Sequence, residues 1–132
     1  PTYTYNFLGL KRFTITAKQP VPDGKTTIRF EFAYEGGGLG KGGTGTLFVN
    51  GKRVAQGRVE QTQPFIFSAD EGADVGEDGE TPVVENYGIQ APYKFTGKIN
   101  KITIDLKEMK TADKEKAGMA HKEASLKKAL SD

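Results

Sequence analysis

The sequence predicts an all-β protein: an antiparallel, jelly-roll-like β-sandwich followed by a helical tail. Apolar and polar residues alternate with a period of two over several short segments, as in strands that bury one face. Glycine and proline separate these segments. All five tyrosines and eight phenylalanines lie at or before Phe95, so the end of the chain lacks the side chains that usually fill a β core. A length of 132 residues allows one such core.

The first strands are predicted where every second residue is apolar. Tyr3, Tyr5 and Phe7 share one face, and Phe13 with Ile15 repeats the pattern. The clearest strand covers residues 28–34, where four apolar side chains alternate with Arg, Glu and Ala.

A hairpin is predicted at Asn50-Gly51, between the strand-like segments 44–49 and 52–59. A type I′ turn requires positive φ at both central residues, and Asn-Gly is the dipeptide that best supplies it. Further strands are predicted at 65–67, 95–99 and 102–106. The apolar phase changes at Asn100-Lys101, which predicts a β-bulge or a break there.

These patterns divide the chain into a β-sandwich domain over 1–106 and a charged helical tail over 107–132. The tail is rich in Lys, Glu and Ala, and it carries seven lysines against five acidic residues. The body is neutral, so the net charge of +2 comes from the tail and gives no reason to expect nucleic acid as a partner. No apolar run is long enough to cross a membrane. The opening residue Pro1, followed at once by a strand pattern, predicts a fragment of a larger protein.

The sequence contains no recognisable set of catalytic residues. The chain has no cysteine, which excludes thiolate zinc sites and cysteine nucleophiles, and its one histidine, His121, lies in the polar tail. Gly38, Gly40 and Gly43 have the spacing of a dinucleotide-binding motif. That motif needs a following helix, whereas a strand pattern follows here. We therefore expect this chain to have no enzymatic activity and no required cofactor.

The glycine-rich stretch 36–45 is the first candidate site. Glycine adopts backbone conformations that other residues avoid and lets another surface approach closely. We therefore expect a contact with a partner domain here, and a tight loop or bulge is the alternative. The predicted contact residues are Gly37, Gly38, Gly40, Lys41 and Gly43.

The acidic stretch 70–85 is the second candidate site. Carboxylates and glycines on one loop supply the oxygen ligands that calcium prefers, although the spacing is not that of an EF-hand. The predicted calcium ligands are Asp70, Glu71, Asp74 and Asp78. A solvated acidic loop without metal is the alternative.

Four phrases, in order along the chain, resemble the C-terminal region of large bacterial arylsulfatases. They are Phe32-Ala33-Tyr34-Glu35-Gly36-Gly37-Gly38-Leu39-Gly40-Lys41-Gly42-Gly43, Val54-Ala55-Gln56-Gly57-Arg58-Val59, residues 64–71 with Asp74-Val75-Gly76, and Phe95-Thr96-Gly97-Lys98-Ile99. The resemblance implies a parent enzyme that hydrolyses sulfate esters with formylglycine and a divalent metal in an N-terminal catalytic domain. The Cys/Ser-x-Pro-x-Arg signature from which formylglycine is made does not occur in this chain.

The resemblance therefore implies a C-terminal accessory domain that packs on and supports the catalytic domain of the same polypeptide, in the periplasm or secreted. A carbohydrate-binding module is the alternative. It would place exposed aromatic residues, among them Tyr34, Tyr87 and Tyr93, on a sugar-binding face, with calcium at the acidic loop.

Overall fold

The fold is all-β in a computed structural model that describes residues 1–65 and 72–107. Five strands form two antiparallel sheets, with strand orders β1-β2 and β3-β4-β5. The strands are β1 (Thr2–Phe7), β2 (Lys11–Thr16), β3 (Ile28–Tyr34), β4 (Gly43–Val49) and β5 (Lys52–Val59). All five were predicted from sequence: β1, β2 and β3 by the alternation of apolar residues, and β4 and β5 as the strand-like segments on either side of Asn50-Gly51.

The Asn50-Gly51 hairpin is confirmed. Val49 pairs with Lys52, and the φ angles of 49° at Asn50 and 80° at Gly51 are both positive, as the turn requires. The ladder shifts between Leu47 and Phe48, where β5 contributes one extra residue and forms a bulge that the sequence pattern does not predict.

The two sheets contact each other through their apolar faces. Tyr3 of β1 stacks on Phe30 of β3, with ring centroids 3.6 Å apart. Ile15 of β2 lies against the two strand glycines Gly45 and Gly57, whose missing side chains leave room for it. The buried apolar residues among those described are Phe13, Ile15, Ala17, Leu47 and Val59. The core therefore lies between β2 and the β4-β5 hairpin.

The strands predicted at 95–99 and 102–106 are not present in the structure. Residues 95–107 have no regular structure, and their apolar side chains are exposed, Leu106 to 90%. The bulge predicted at Asn100-Lys101 is not present, because a bulge requires a paired strand and these residues belong to none. Alternation determines which residues share a face, but a strand also needs a neighbour to pair its backbone groups.

The other two predictions fall wholly or partly outside the described residues. Phe65 does not lie in a strand, and residues 66 and 67 are not described. The helix predicted in the tail also lies outside the described residues, of which Lys107 is the last.

Candidate functional site

The glycine-rich stretch forms a closed loop between β3 and β4. At its base the Glu35 amide donates to the Gly42 carbonyl oxygen at 3.1 Å, and the Gly42 amide donates to Glu35 Oε1 at 3.0 Å. Gly36, Gly37, Gly38 and Gly40 all have positive φ, between 70° and 124°. Only glycine adopts this region without steric cost, so the loop's backbone path accounts for four of its glycines.

The Tyr34 hydroxyl holds the interior of the loop together. It donates to the Gly38 carbonyl oxygen and accepts a hydrogen bond from the Lys41 amide at 3.1 Å. From the chain after β5, Thr62 Oγ1 donates to the Lys41 carbonyl oxygen at 2.7 Å. The loop is thus bonded both internally and to a neighbouring segment.

An ion pair fixes the base of the loop to β5. Arg58 Nη2 donates to Glu35 Oε2 at 2.9 Å, while the other carboxylate oxygen receives the Gly42 amide. The hydrogen bond from Arg58, and then that from Gly42, hold the pKa of Glu35 below its ordinary value of 4.5. Neither residue was among the contact residues predicted from sequence.

This lowered pKa predicts a loss of stability in acid. Glu35 binds its proton more weakly in the folded chain than in the unfolded chain, so the ionised carboxylate stabilises the fold above pH 4.5. That contribution is lost as the pH falls through the folded-state pKa. We expect Glu35→Gln to flatten the acid side of the profile of urea midpoint against pH. The control Glu80→Gln, on the exposed acidic loop, should keep the parent's slope, and equal slopes for both variants would contradict the prediction.

The five predicted contact residues do not lie on one surface. Gly37 and Lys41 are exposed, and Gly38 and Gly40 are half-buried. Gly43 is buried within β4, where an added Cβ would lie 2.5 Å from the Ala33 carbonyl oxygen. Close packing inside the sheet therefore explains Gly43, and the part of the loop that another domain could reach is the tip from Gly37 to Lys41.

The described part of the acidic stretch has internal hydrogen bonds. Asp74 Oδ2 accepts from the Gly79 amide at 3.3 Å. Asp78 Oδ2 accepts from the Val83 amide at 2.8 Å and from the Tyr87 hydroxyl. Burial, together with this hydrogen bond to Asp78, raises the pKa of Tyr87 to about 12.

Two of the predicted calcium ligands, Asp70 and Glu71, lie outside the described residues. Within 1–65 and 72–107, no three acidic, histidine or cysteine residues are grouped so as to hold a metal ion. The calcium site stays a prediction.

A groove of about 980 Å³ separates the acidic stretch from the end of the β1-β2 hairpin. Its two walls are joined at the Val83 carbonyl oxygen, which accepts from Asn6 Nδ2 at 3.1 Å and from Arg12 Nε at 3.0 Å. Arg12 also pairs with Glu85 at 3.5 Å. The acidic stretch is thereby attached to the first sheet.

The three tyrosines of the carbohydrate hypothesis fall into two groups. The rings of Tyr87 and Tyr93 lie 4.7 Å apart at an interplanar angle of 45°. Tyr34 has its hydroxyl in the glycine loop. A sugar-binding face in this structure would therefore be built on Tyr87 and Tyr93.

The fold and these contacts define a small all-β protein of two antiparallel sheets with a hydrogen-bonded glycine loop. No protein-family model, curated protein or solved structure significantly matches the chain. No helix in the described part of the chain is long and apolar enough to span a membrane.

Proposed function

We propose that this chain is the non-catalytic C-terminal accessory domain of an arylsulfatase-like sulfate-ester hydrolase. In this proposal its two sheets are the layers of a jelly-roll-like β-sandwich, and the parent enzyme is periplasmic or secreted. The domain packs on the N-terminal catalytic domain of the same polypeptide and supports it. Formylglycine chemistry belongs to that catalytic domain.

The observation that carries the proposal is how the four arylsulfatase-like phrases associate. The first and second phrases meet in the Glu35–Arg58 ion pair at 2.9 Å. The third and fourth meet where the Phe95 amide donates to the Gly76 carbonyl oxygen at 2.7 Å. Residues that resemble one family in sequence thus support one another in pairs, as expected if the phrases specify a common structure.

The tip of the glycine loop is the proposed contact with the catalytic domain. Its hydrogen bonds and glycine conformations fix it before any partner binds, which lowers the entropy lost on docking. Gly37 and Lys41 are exposed on this tip, and Gly37 adds no side chain that would hold a partner surface away.

We predict that acetylation of Lys41 by an N-hydroxysuccinimide ester, followed by mass spectrometry, will distinguish the isolated domain from the full-length enzyme. Lys41 should react in the isolated domain and be protected in the full-length protein. Lys25, exposed in the segment between β2 and β3, is the control and should react in both. Equal modification of Lys41 in both proteins would contradict the proposed contact.

The accessory assignment has a separate test. The purified domain should not hydrolyse p-nitrophenyl sulfate, and the coding sequence upstream of it should contain a Cys/Ser-x-Pro-x-Arg signature. Turnover that persists through further purification, or an upstream sequence without the signature, would overturn the assignment.

Carbohydrate binding is the second candidate, because Tyr87 is 42% exposed beside Tyr93 and aromatic rings supply the flat apolar faces on which sugars stack. A glycan array measured with the unsubstituted chain and with Tyr93→Ala would identify it. Binding that is lost in Tyr93→Ala supports a sugar site, and the absence of binding by the unsubstituted chain counts against one. A rise in melting temperature with calcium, absent with magnesium and reduced in Asp74→Ala, would support a calcium site on the acidic loop.

A further inference from the structure

The three-stranded sheet has a free edge at β3. Among the described residues, β3 pairs only with β4. At one end of this ladder the Thr27 carbonyl oxygen accepts from the Asn50 amide. At the other end the Glu35 amide donates to the Gly42 carbonyl oxygen. Odd-numbered residues therefore direct their backbone groups toward β4. Because these directions alternate along a strand, the even-numbered residues 28–34 direct theirs toward the free edge.

The same even-numbered residues leave apolar surface uncovered. Ile28 is 49% exposed, Phe32 37% and Tyr34 38%, although they lie on the face that carries Phe30 against the first sheet. The edge therefore presents unpaired backbone groups and apolar side chains together, a combination that favours the addition of another strand.

A segment of the same chain has the complementary pattern. Ile102, Ile104 and Leu106 are 57%, 79% and 90% exposed, and they alternate with Thr103 and Asp105. This alternation is that of a strand with one buried face. Nothing in the described part of the chain buries these three side chains.

We propose that residues 102–106 dock on the free edge of β3 as a sixth strand, antiparallel to it. Ile102 then lies opposite Phe32, Ile104 opposite Phe30 and Leu106 opposite Ile28. All three side chains then lie on the face that carries Phe30, where each packs against the apolar side chain opposite it. The irregular conformation of residues 101–107 is the undocked state of this segment.

Charge selects this register. It places Asp105 directly opposite Arg29, which is a favourable cross-strand pair. A shift of two residues toward the glycine loop would instead place Asp105 opposite Glu31. The parallel alignments that keep all three apolar residues on β3 place either Asp105 opposite Glu31 or Lys101 opposite Arg29, and both pairs repel.

The link between the anchored Phe95 and this segment is long compared with the spacing of packed sheets. Phe95 is anchored to Gly76, and the seven residues from there to Ile102 span up to about 23 Å when extended. The groove that holds Gly72 and Asp74 also includes Thr4 of β1, and β1 lies over β3 where Tyr3 stacks on Phe30. Packed sheets are only about 10 Å apart, well within this span.

The register can be tested with an engineered disulfide. The chain itself has no cysteine, so a bridge can form only between the introduced residues. Thr103 and Glu31 would form a non-hydrogen-bonded pair with Cα atoms about 4.5 Å apart, within the range that a disulfide spans. We expect the double variant Glu31→Cys/Thr103→Cys to form an intramolecular bridge on mild oxidation. The control Ala33→Cys/Thr103→Cys, a diagonal pair about 7–8 Å apart, should stay reduced. Adding Asp105→Arg to the first variant should lower the extent of bridging by up to about fivefold.

Three results would overturn the proposal. No bridge in either variant means that the segment does not dock, and a bridge only in the control means that the register is wrong. Disulfide-linked dimers without the intramolecular bridge mean that a second copy of the chain occupies the edge. Hydrogen exchange of the protein without cysteines provides a second measurement. The Phe30 and Phe32 amides should exchange at least about tenfold more slowly than in Ile104→Asp, and equal rates would count against docking.

Discussion

Replacement of Gly42 by alanine is expected to destabilise the protein by about 3 kcal/mol, because the added methyl group collides with backbone. A Cβ at this position would lie 2.3 Å from the Val59 carbonyl oxygen and 2.5 Å from that of Glu60. Neither oxygen moves without displacing the end of β5, where Val59 is completely buried.

The measurement is the free energy of unfolding in urea, with Gly72→Ala as the control. Gly72 is exposed, and a Cβ added there would have no atom within 4 Å, so its substitution should change stability by no more than about 0.5 kcal/mol. If the two variants unfolded at the same urea concentration, the close approach of β5 to the glycine loop would be wrong.

The second large effect is expected where the sheets meet at Ile15 and Gly57. Ile15→Ala removes a side chain that is only 4% exposed and should cost about 2–5 kcal/mol. Gly57→Ala places a methyl group 2.9 Å from Ile15 Cγ1 and should cost about 1–3 kcal/mol. In the double variant that contact is gone, and the nearest remaining atom, the Cβ of residue 15, lies at 3.8 Å.

We therefore expect the double variant to be more stable than the sum of the two single losses predicts, by about 0.5–3 kcal/mol. Urea unfolding of the parent and the three variants completes the cycle. Strict additivity would show that β2 and β5 do not pack against each other through these residues.

The strands of the two sheets could be predicted from sequence, because a strand with one buried face has a local signature. Residues 28–34 carry that signature within seven positions, and the Asn50-Gly51 dipeptide separately indicates the hairpin between β4 and β5. Residues 102–106 carry it equally well, yet they are irregular in the structure. The difference lies in the pairing partner, which is a property of the whole fold and leaves no mark on the local pattern.

The candidate site was harder to predict for a similar reason. The glycine run was visible in the sequence, but not the bonds that shape it. Glu35 and Arg58 are 23 positions apart, and Thr62 is 21 positions from Lys41. Positive φ at the loop tip and close packing at Gly42 and Gly43 account for most of the glycines, and the contact with a partner domain stays a prediction.

The attachment of the acidic stretch to the first sheet has a built-in redundancy. Asn6 and Arg12 are cross-strand partners in the β1-β2 ladder, and both donate to the one Val83 carbonyl oxygen, which has two lone pairs to accept them. Loss of either donor leaves the acceptor satisfied by the other, so neither substitution alone measures the strength of the attachment. Mutational data on this part of the protein will understate its importance unless both donors are removed together.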